Sequence, residues 1–193
     1  MPTDVIDKKL YKVFFLSIFF LTEGYLMLNG SIRKDAFQKI LILQNHQFDI
    51  KTNESGAIRE LTLKVSRNNQ SLITIRQKTD GWVVNAEVAD LDNNNAPEVY
   101  IYACSYGTGA FGKVYAFQFY PANFEPIVLE TLSAAQSQGY MGHDIFDIEN
   151  KIMVRRFPIY KAGDSNVRPT GGTRTIQYKL TRVEQKLYLK SIL

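Results

Sequence analysis

The sequence predicts an all-β protein: an antiparallel β-sandwich or barrel-like double sheet with one or two short helices. Three observations carry that expectation. Polar turn residues punctuate segments of about seven to ten residues that are rich in β-branched and aromatic side chains. Several of these segments are apolar at both odd and even positions, the pattern of strands covered on both faces. No series of amphipathic helices alternates with them, which argues against a parallel α/β sheet and for an antiparallel arrangement.

Taken in order, residues Ile32 to Leu43 form a short lead that reads as helical. Leu61, Leu63 and Val65 then alternate with Thr62, Lys64 and Ser66, and the Asn68 to Ser71 cluster turns the chain into Leu72 to Arg76. This is a hairpin with one buried face. Trp82 to Ala89, Val99 to Ala103 and Val114 to Tyr120 are the doubly apolar segments and form the expected core. Leu132 to Gln138 is the second helical candidate. Ile152 to Phe157, Ile176 to Leu180 and Leu187 to Leu189 supply the remaining strands.

With 193 residues and 45% hydrophobic content, the chain is long enough for one domain with a sizeable core. A charged fraction of 22% and a net charge of +4 exclude a disordered chain or a fibre. The basic balance is not gathered into a stripe interleaved with stacking aromatics, so no nucleic-acid interface is expected. The single Cys104 excludes an intramolecular disulfide and a cysteine-based zinc site. At the N-terminus, Lys8, Lys9 and Lys12 precede the apolar run Val13 to Leu21, the order of a secretory signal peptide. That run is well short of the ~20 apolar residues a membrane span needs, and no Cys follows it to carry a lipid, so no stable membrane anchor is expected. The expected organisation is a signal peptide over residues 1–30 and a single β domain over 31–193. Export without a disulfide points to the bacterial periplasm.

Four stretches carry residue types that could support chemistry. Asp90, Asp92 and Asn94 open an oxygen-rich stretch that ends at Pro97-Glu98, but an EF-hand loop would need Gly at Asn95 and Glu at Ile101. A turn between strands is preferred there, whether or not a cation binds, and no metal or other cofactor is assigned. Between the two strongest strands lies Ser105-Tyr106-Gly107-Thr108-Gly109-Ala110-Phe111-Gly112, whose three glycines permit tight backbone geometry while Phe111 sits at the tip. It lacks the Lys-Ser/Thr end of a phosphate-binding loop, and an aromatic anchor among small residues suits insertion into a concave partner. His143 next to Asp144 suggests an acid–base pair, yet neighbours on an extended strand face opposite ways, and no nucleophile motif accompanies them. No catalytic residues are assigned and enzymatic activity is not expected. Arg155 and Arg156, with Arg174 further on, form either a basic surface that supports partner binding or a solvated face with internal ion pairs.

Taken together, Ala89-Asp90-Leu91-Asp92, Pro97-Glu98-Val99, Gly107-Thr108-Gly109-Ala110-Phe111-Gly112 and Val114-Tyr115-Ala116-Phe117 resemble the periplasmic inhibitors of invertebrate-type (i-type) lysozyme. Gly139-Tyr140-Met141-Gly142-His143-Asp144, Val154 to Tyr160 and Pro169 to Arg174 are similar to the second half of such proteins. The resemblance covers roughly Trp82 to Leu180, about half of the chain. It implies an exported, antiparallel β protein without enzymatic activity, with i-type lysozyme as partner and no cofactor. It further implies that the loop Tyr106 to Gly112 plugs the lysozyme cleft. Against the family's Ser-Gly-Ser-Tyr-Gly, Thr108 keeps the first hydroxyl, Ala110 loses the second, and Phe111 keeps the ring without its phenolic OH. A lost hydrogen bond of that kind costs about 0.5–1.5 kcal/mol, so the resemblance implies inhibition that survives but is weaker. The alternative is a non-inhibitory periplasmic β-sandwich module that binds another envelope protein or a peptidoglycan fragment. The sequence leaves a homodimer or a monomer equally open.

Overall fold

In chain order the strands are β1 (Gln38–Leu43), β2 (His46–Thr52), β3 (Ile58–Arg67), β4 (Gln70–Asp80), β5 (Trp82–Ala89) and β6 (Glu98–Cys104). They continue with β7 (Gly112–Phe119), β8 (Phe124–Leu129), β9 (Ile145–Glu149), β10 (Ile152–Pro158), β11 (Thr173–Val183) and β12 (Lys186–Ile192). This computed structural model describes residues 36–53 and 58–192. The export segment read over residues 1–30 lies outside the described residues.

Three four-stranded antiparallel meanders build the fold. The first, β1-β2-β3-β4, is a sheet of its own, while β5 to β8 and β9 to β12 merge into one sheet of order β5-β6-β7-β8-β12-β11-β10-β9. The merger is a parallel pair, with Leu187, Tyr188 and Leu189 of β12 opposite Ile127, Val128 and Leu129 of β8. The end strands β5 and β9 of that sheet approach one another, so it curls almost into a barrel.

Tight turns fix the hairpin registers. Gln44-Asn45, Asn68-Asn69 and Asn150-Lys151 each link two strands through a two-residue loop with both φ angles positive, between 49° and 64°. This is the turn whose twist matches paired strands, and asparagine tolerates it better than most residues. Leu61, Leu63 and Val65 of β3 are buried, as their alternation predicts, and the Asn68 turn returns the chain into β4.

Two apolar layers result. One fills the curled sheet with Tyr100, Tyr102, Met153, Phe157, Tyr178, Leu187 and Leu189, all essentially without exposed surface. The other lies between the first sheet and the outer face of β5 to β7, where Phe48, Ile50, Leu61 and Leu63 meet Val99, Ile101, Ala103, Phe117 and Phe119. Strand β6 belongs to both layers: Tyr100 and Tyr102 point into the curl and Val99, Ile101 and Ala103 away from it. That explains why its sequence is apolar at both parities from Val99 to Ala103. Lys39 adds a polar tie between the sheets, donating to Asn85 Oδ1 at 2.9 Å and to the Ala86 carbonyl at 2.8 Å.

The two expected helices are corrected, since no helix occurs among the described residues. The helical lead assigned to Ile32–Leu43 ends instead in the edge strand β1, because the Gln44-Asn45 turn folds Gln38–Leu43 back along β2 in unbroken register. The unbroken run Ile40 to Leu43 has no periodicity that separates helix from strand. Leu132–Gln138 starts a helical turn: Gln136 N donates to Ser133 Oγ at 3.2 Å, Ser133 N to Gln136 Oε1 at 2.9 Å, and Ser137 N to Ser133 O at 2.9 Å. This capping box is followed at once by Gly139 with φ +73°, so a single turn forms and stops.

Truncating Ile101 to Ala opens a void in the layer between the sheets and is expected to cost about 2–5 kcal/mol. Ile42→Ala, on the solvent side of β1 where the residue is 69% exposed, should stay within about 0.5 kcal/mol. Urea unfolding of both variants checks this, and equal losses would contradict the layer assignment.

Candidate functional site

The antiparallel register of β6 and β7 brings Cys104 opposite Gly112. Residues 105–111 therefore have to reverse the chain over a short gap. The neck is closed by Ser105 twice: its N–H donates to Phe111 O at 2.9 Å and its Oγ accepts from Phe111 N at 3.0 Å. Beyond the neck, Tyr106, Gly107 and Thr108 are exposed and Phe111 is 46% exposed.

Neighbouring segments hold this loop from several sides. Tyr106 packs edge-on against Trp82 at 4.9 Å between ring centroids, and its OH accepts from Arg59 Nε at 3.2 Å. On the other flank, His143 N donates to the carbonyls of Gly109 at 2.9 Å and Ala110 at 3.1 Å. Asn166 Nδ2 bonds the Thr108 carbonyl, and Phe111 leans edge-on against Tyr140 at 5.6 Å. Close approach rules out a larger residue at Gly142, and at Gly109 a side chain would displace the Phe111 ring. A Cβ on Gly142 would lie 1.8 Å from the Gly109 carbonyl oxygen, and one on Gly109 would lie 2.4 Å from the Phe111 ring. Ala110 itself has φ +44°.

Beneath the loop is a buried ionic brace. Asp144, whose side chain has no exposed surface, accepts from Gly112 N at 2.6 Å, Tyr140 OH at 2.6 Å and Arg155 Nε at 2.7 Å. Arg155 also donates to Tyr140 OH at 2.9 Å, and its guanidinium lies over the rings of Tyr140, Phe146 and Phe157 at 5.1–5.5 Å. Burial works against its charge, but the hydrogen bond and charge of Asp144 prevail and raise its pKa. Burial and the bond to Asp144 likewise hold the Tyr140 phenol well above its usual range. Asp144 is therefore turned away from the imidazole beside it: His143 Nε2 meets Asn166 Oδ1 at 3.4 Å. No His–Asp acid–base unit is assembled.

Of the two readings of Arg155, Arg156 and Arg174, internal ion pairs describe Arg156, while the other two guanidiniums are engaged within the fold. Arg155 is 6% exposed and belongs to the brace. Arg156 pairs with Glu149 at 2.8 Å and Asp147 at 3.4 Å on the neighbouring strand. Arg174 spends its guanidinium on the carbonyls of Ala135, Gln136 and Gln138 and so fixes the turn after Leu132. All three are engaged with other groups of the chain, Arg155 in the interior and Arg156 at the surface.

At the opposite end of β6, residues Asp90 to Pro97 form the turn between β5 and β6, with Asn93 and Asn95 at φ +58° and +61°. Asp90 and Asp92 accept from the Asn94 and Asn95 backbone there. The turn brings Glu98 back beside them, so that one carboxylate oxygen from each of Asp90, Asp92 and Glu98 lies within 4.8 Å of the others. Glu98 has no exposed surface and accepts from Leu91 N and Gln118 Nε2. Burial above all, together with the two aspartates, pushes its carboxyl up to about 8. The third carboxylate comes from the first residue of the next strand, at the ninth position counted from Asp90.

A cleft of about 790 Å³ opens where β7 and β8 part company. Their pairing starts only at Ala116 opposite Ile127, and Val114, Leu129, Leu132 and Tyr140 line the gap. Comparisons of the chain with protein-family models, with curated proteins and with solved structures give no match.

Replacing Asp144 by Ala strands the Arg155 charge in an apolar setting and leaves Gly112 N without its acceptor. The expected loss is about 3–5 kcal/mol in chemical denaturation. Arg156→Ala, which removes only solvent-screened pairs, is expected to cost less than about 1 kcal/mol.

Proposed function

We propose that this protein is an exported inhibitor of i-type lysozyme that seats the loop Tyr106 to Gly112 in the enzyme's substrate cleft. The observation that carries this reading is the combination of an exposed tip, Thr108 with Phe111, and a base held by the Ser105 neck, Asn166, His143 and Tyr140. A loop already ordered before contact loses little conformational freedom on binding, so more of its contact energy appears as affinity.

The chemistry of the target fits such a plug. Glycoside hydrolysis uses two carboxyl groups that flank the scissile bond, one of them protonated. The Thr108 hydroxyl offers those groups a hydrogen-bond partner, and the Phe111 ring fills a sugar subsite. No glycosidic bond is presented, so nothing is cleaved. The missing hydroxyls at Ala110 and Phe111 leave contact area as the main source of affinity.

A second reading, an envelope-binding module without inhibitory activity, draws on the cleft between β7 and β8. Its walls, Val114, Ala116, Ile127 and Leu129, suit an apolar segment of a partner protein better than a sugar chain. Retention of the protein on envelope material in the absence of lysozyme favours this module.

Phe111→Ala is expected to weaken binding to an i-type lysozyme by about 2 kcal/mol, roughly thirtyfold in Kd, and Thr108→Ala by a smaller factor. Both variants should retain the circular-dichroism spectrum and unfolding midpoint of the parent. Inhibition assays against i-type, chicken-type and goose-type enzymes provide the check, and unchanged affinity in both variants would reject the loop assignment.

A further inference from the structure

We propose that Asp90, Asp92 and Glu98 form a binding site for one calcium ion at the end of the curled sheet opposite the glycine-rich loop. Three carboxylates converge within 4.8 Å, and among the described residues no Lys or Arg pairs with any of them. Negative charge gathered this tightly, one member without exposed surface, is unfavourable unless a proton or a cation offsets it.

A second observation comes from the interior. Tyr100 follows Glu98 by two residues on the same face of β6, and it is 0% exposed. Its hydroxyl faces Glu98 without completing a hydrogen bond to it and has no other partner. A buried hydroxyl left without a partner is costly, and an ion or its water at the cluster supplies one.

The donor set selects the metal. All three ligands are hard carboxylate oxygens, with no imidazole or thiolate among them, which disfavours zinc and copper. Magnesium retains most of its water and demands strict octahedral geometry, whereas calcium accepts several carboxylates on a turn of irregular shape. Asp90 and Asp92 come from one turn and Glu98 from the strand that follows, so an ion would join that turn to β6. This site is independent of the lysozyme reading and stands or falls without it.

The test uses the full chain stripped with chelator. Calcium titration by calorimetry should show one saturable site. Terbium should give emission sensitised through tyrosine that calcium displaces. Asp92→Asn, on the exposed turn, should retain the fold by circular dichroism and weaken calcium binding more than about tenfold. Tyr100→Phe should reduce the terbium emission, because it removes the nearest buried phenol. Absence of saturable calcium binding, unchanged affinity in Asp92→Asn, or magnesium binding as tightly as calcium would each overturn the proposal.

Discussion

Because β6 has no solvent on either face, each of its side chains from Glu98 to Ala103 must find a place in one of two layers. Its backbone must also pair with β5 on one side and β7 on the other, or leave polar groups buried and unmet. The first sheet exists to cover one face of this strand and its neighbours, and the curl of the second sheet covers the other. Both turns that flank β6 inherit their positions from it. The acidic turn and the glycine-rich loop are consequently held at opposite ends of one rigid strand, roughly 20 Å apart at the usual rise of an extended chain.

The Asp144–Arg155 brace does at the loop end what packing does along the strand. An apolar pair of similar volume would serve the core as well, since buried ion pairs gain little over good packing. What apolar residues cannot do is accept a hydrogen bond from Gly112 N while orienting the Tyr140 ring on which Phe111 rests. The charge is spent on direction: it fixes where the loop leaves β7 and how its aromatic tip lies.

Most of the sheet was legible in the sequence, and the reasons for the exceptions are physical. β5, β6 and β7 stood out because burial on both faces leaves no polar parity, and β3 and β11 because burial on one face does the opposite. β2 carries only the short alternation of Phe48 and Ile50 with the polar residues around them, and β8 is interrupted by Pro126. At the site, the exposed loop and its aromatic tip could be read locally. The burial of Arg155 could not, since a run of basic residues looks alike whether it faces water or a carboxylate 11 positions upstream. Glu98 was visible at the end of the oxygen-rich stretch, but its convergence with Asp90 and Asp92 depends on a turn closing and not on spacing alone.

The parallel contact between β8 and β12 gives the fold an order of assembly. β8 precedes β12 by more than fifty positions, and the intervening strands form a meander that pairs with itself. Until β12 docks, β8 presents an open edge with unmet backbone groups, and the interior tyrosines lack their lid of Leu187 and Leu189. Closure thus waits on the pairing most distant in sequence, a slow step by loop-closure entropy. A chain caught before that step carries a sticky strand edge beside an unfilled core, and its passage to the folded state becomes a race between β12 and any other extended segment that reaches β8 first.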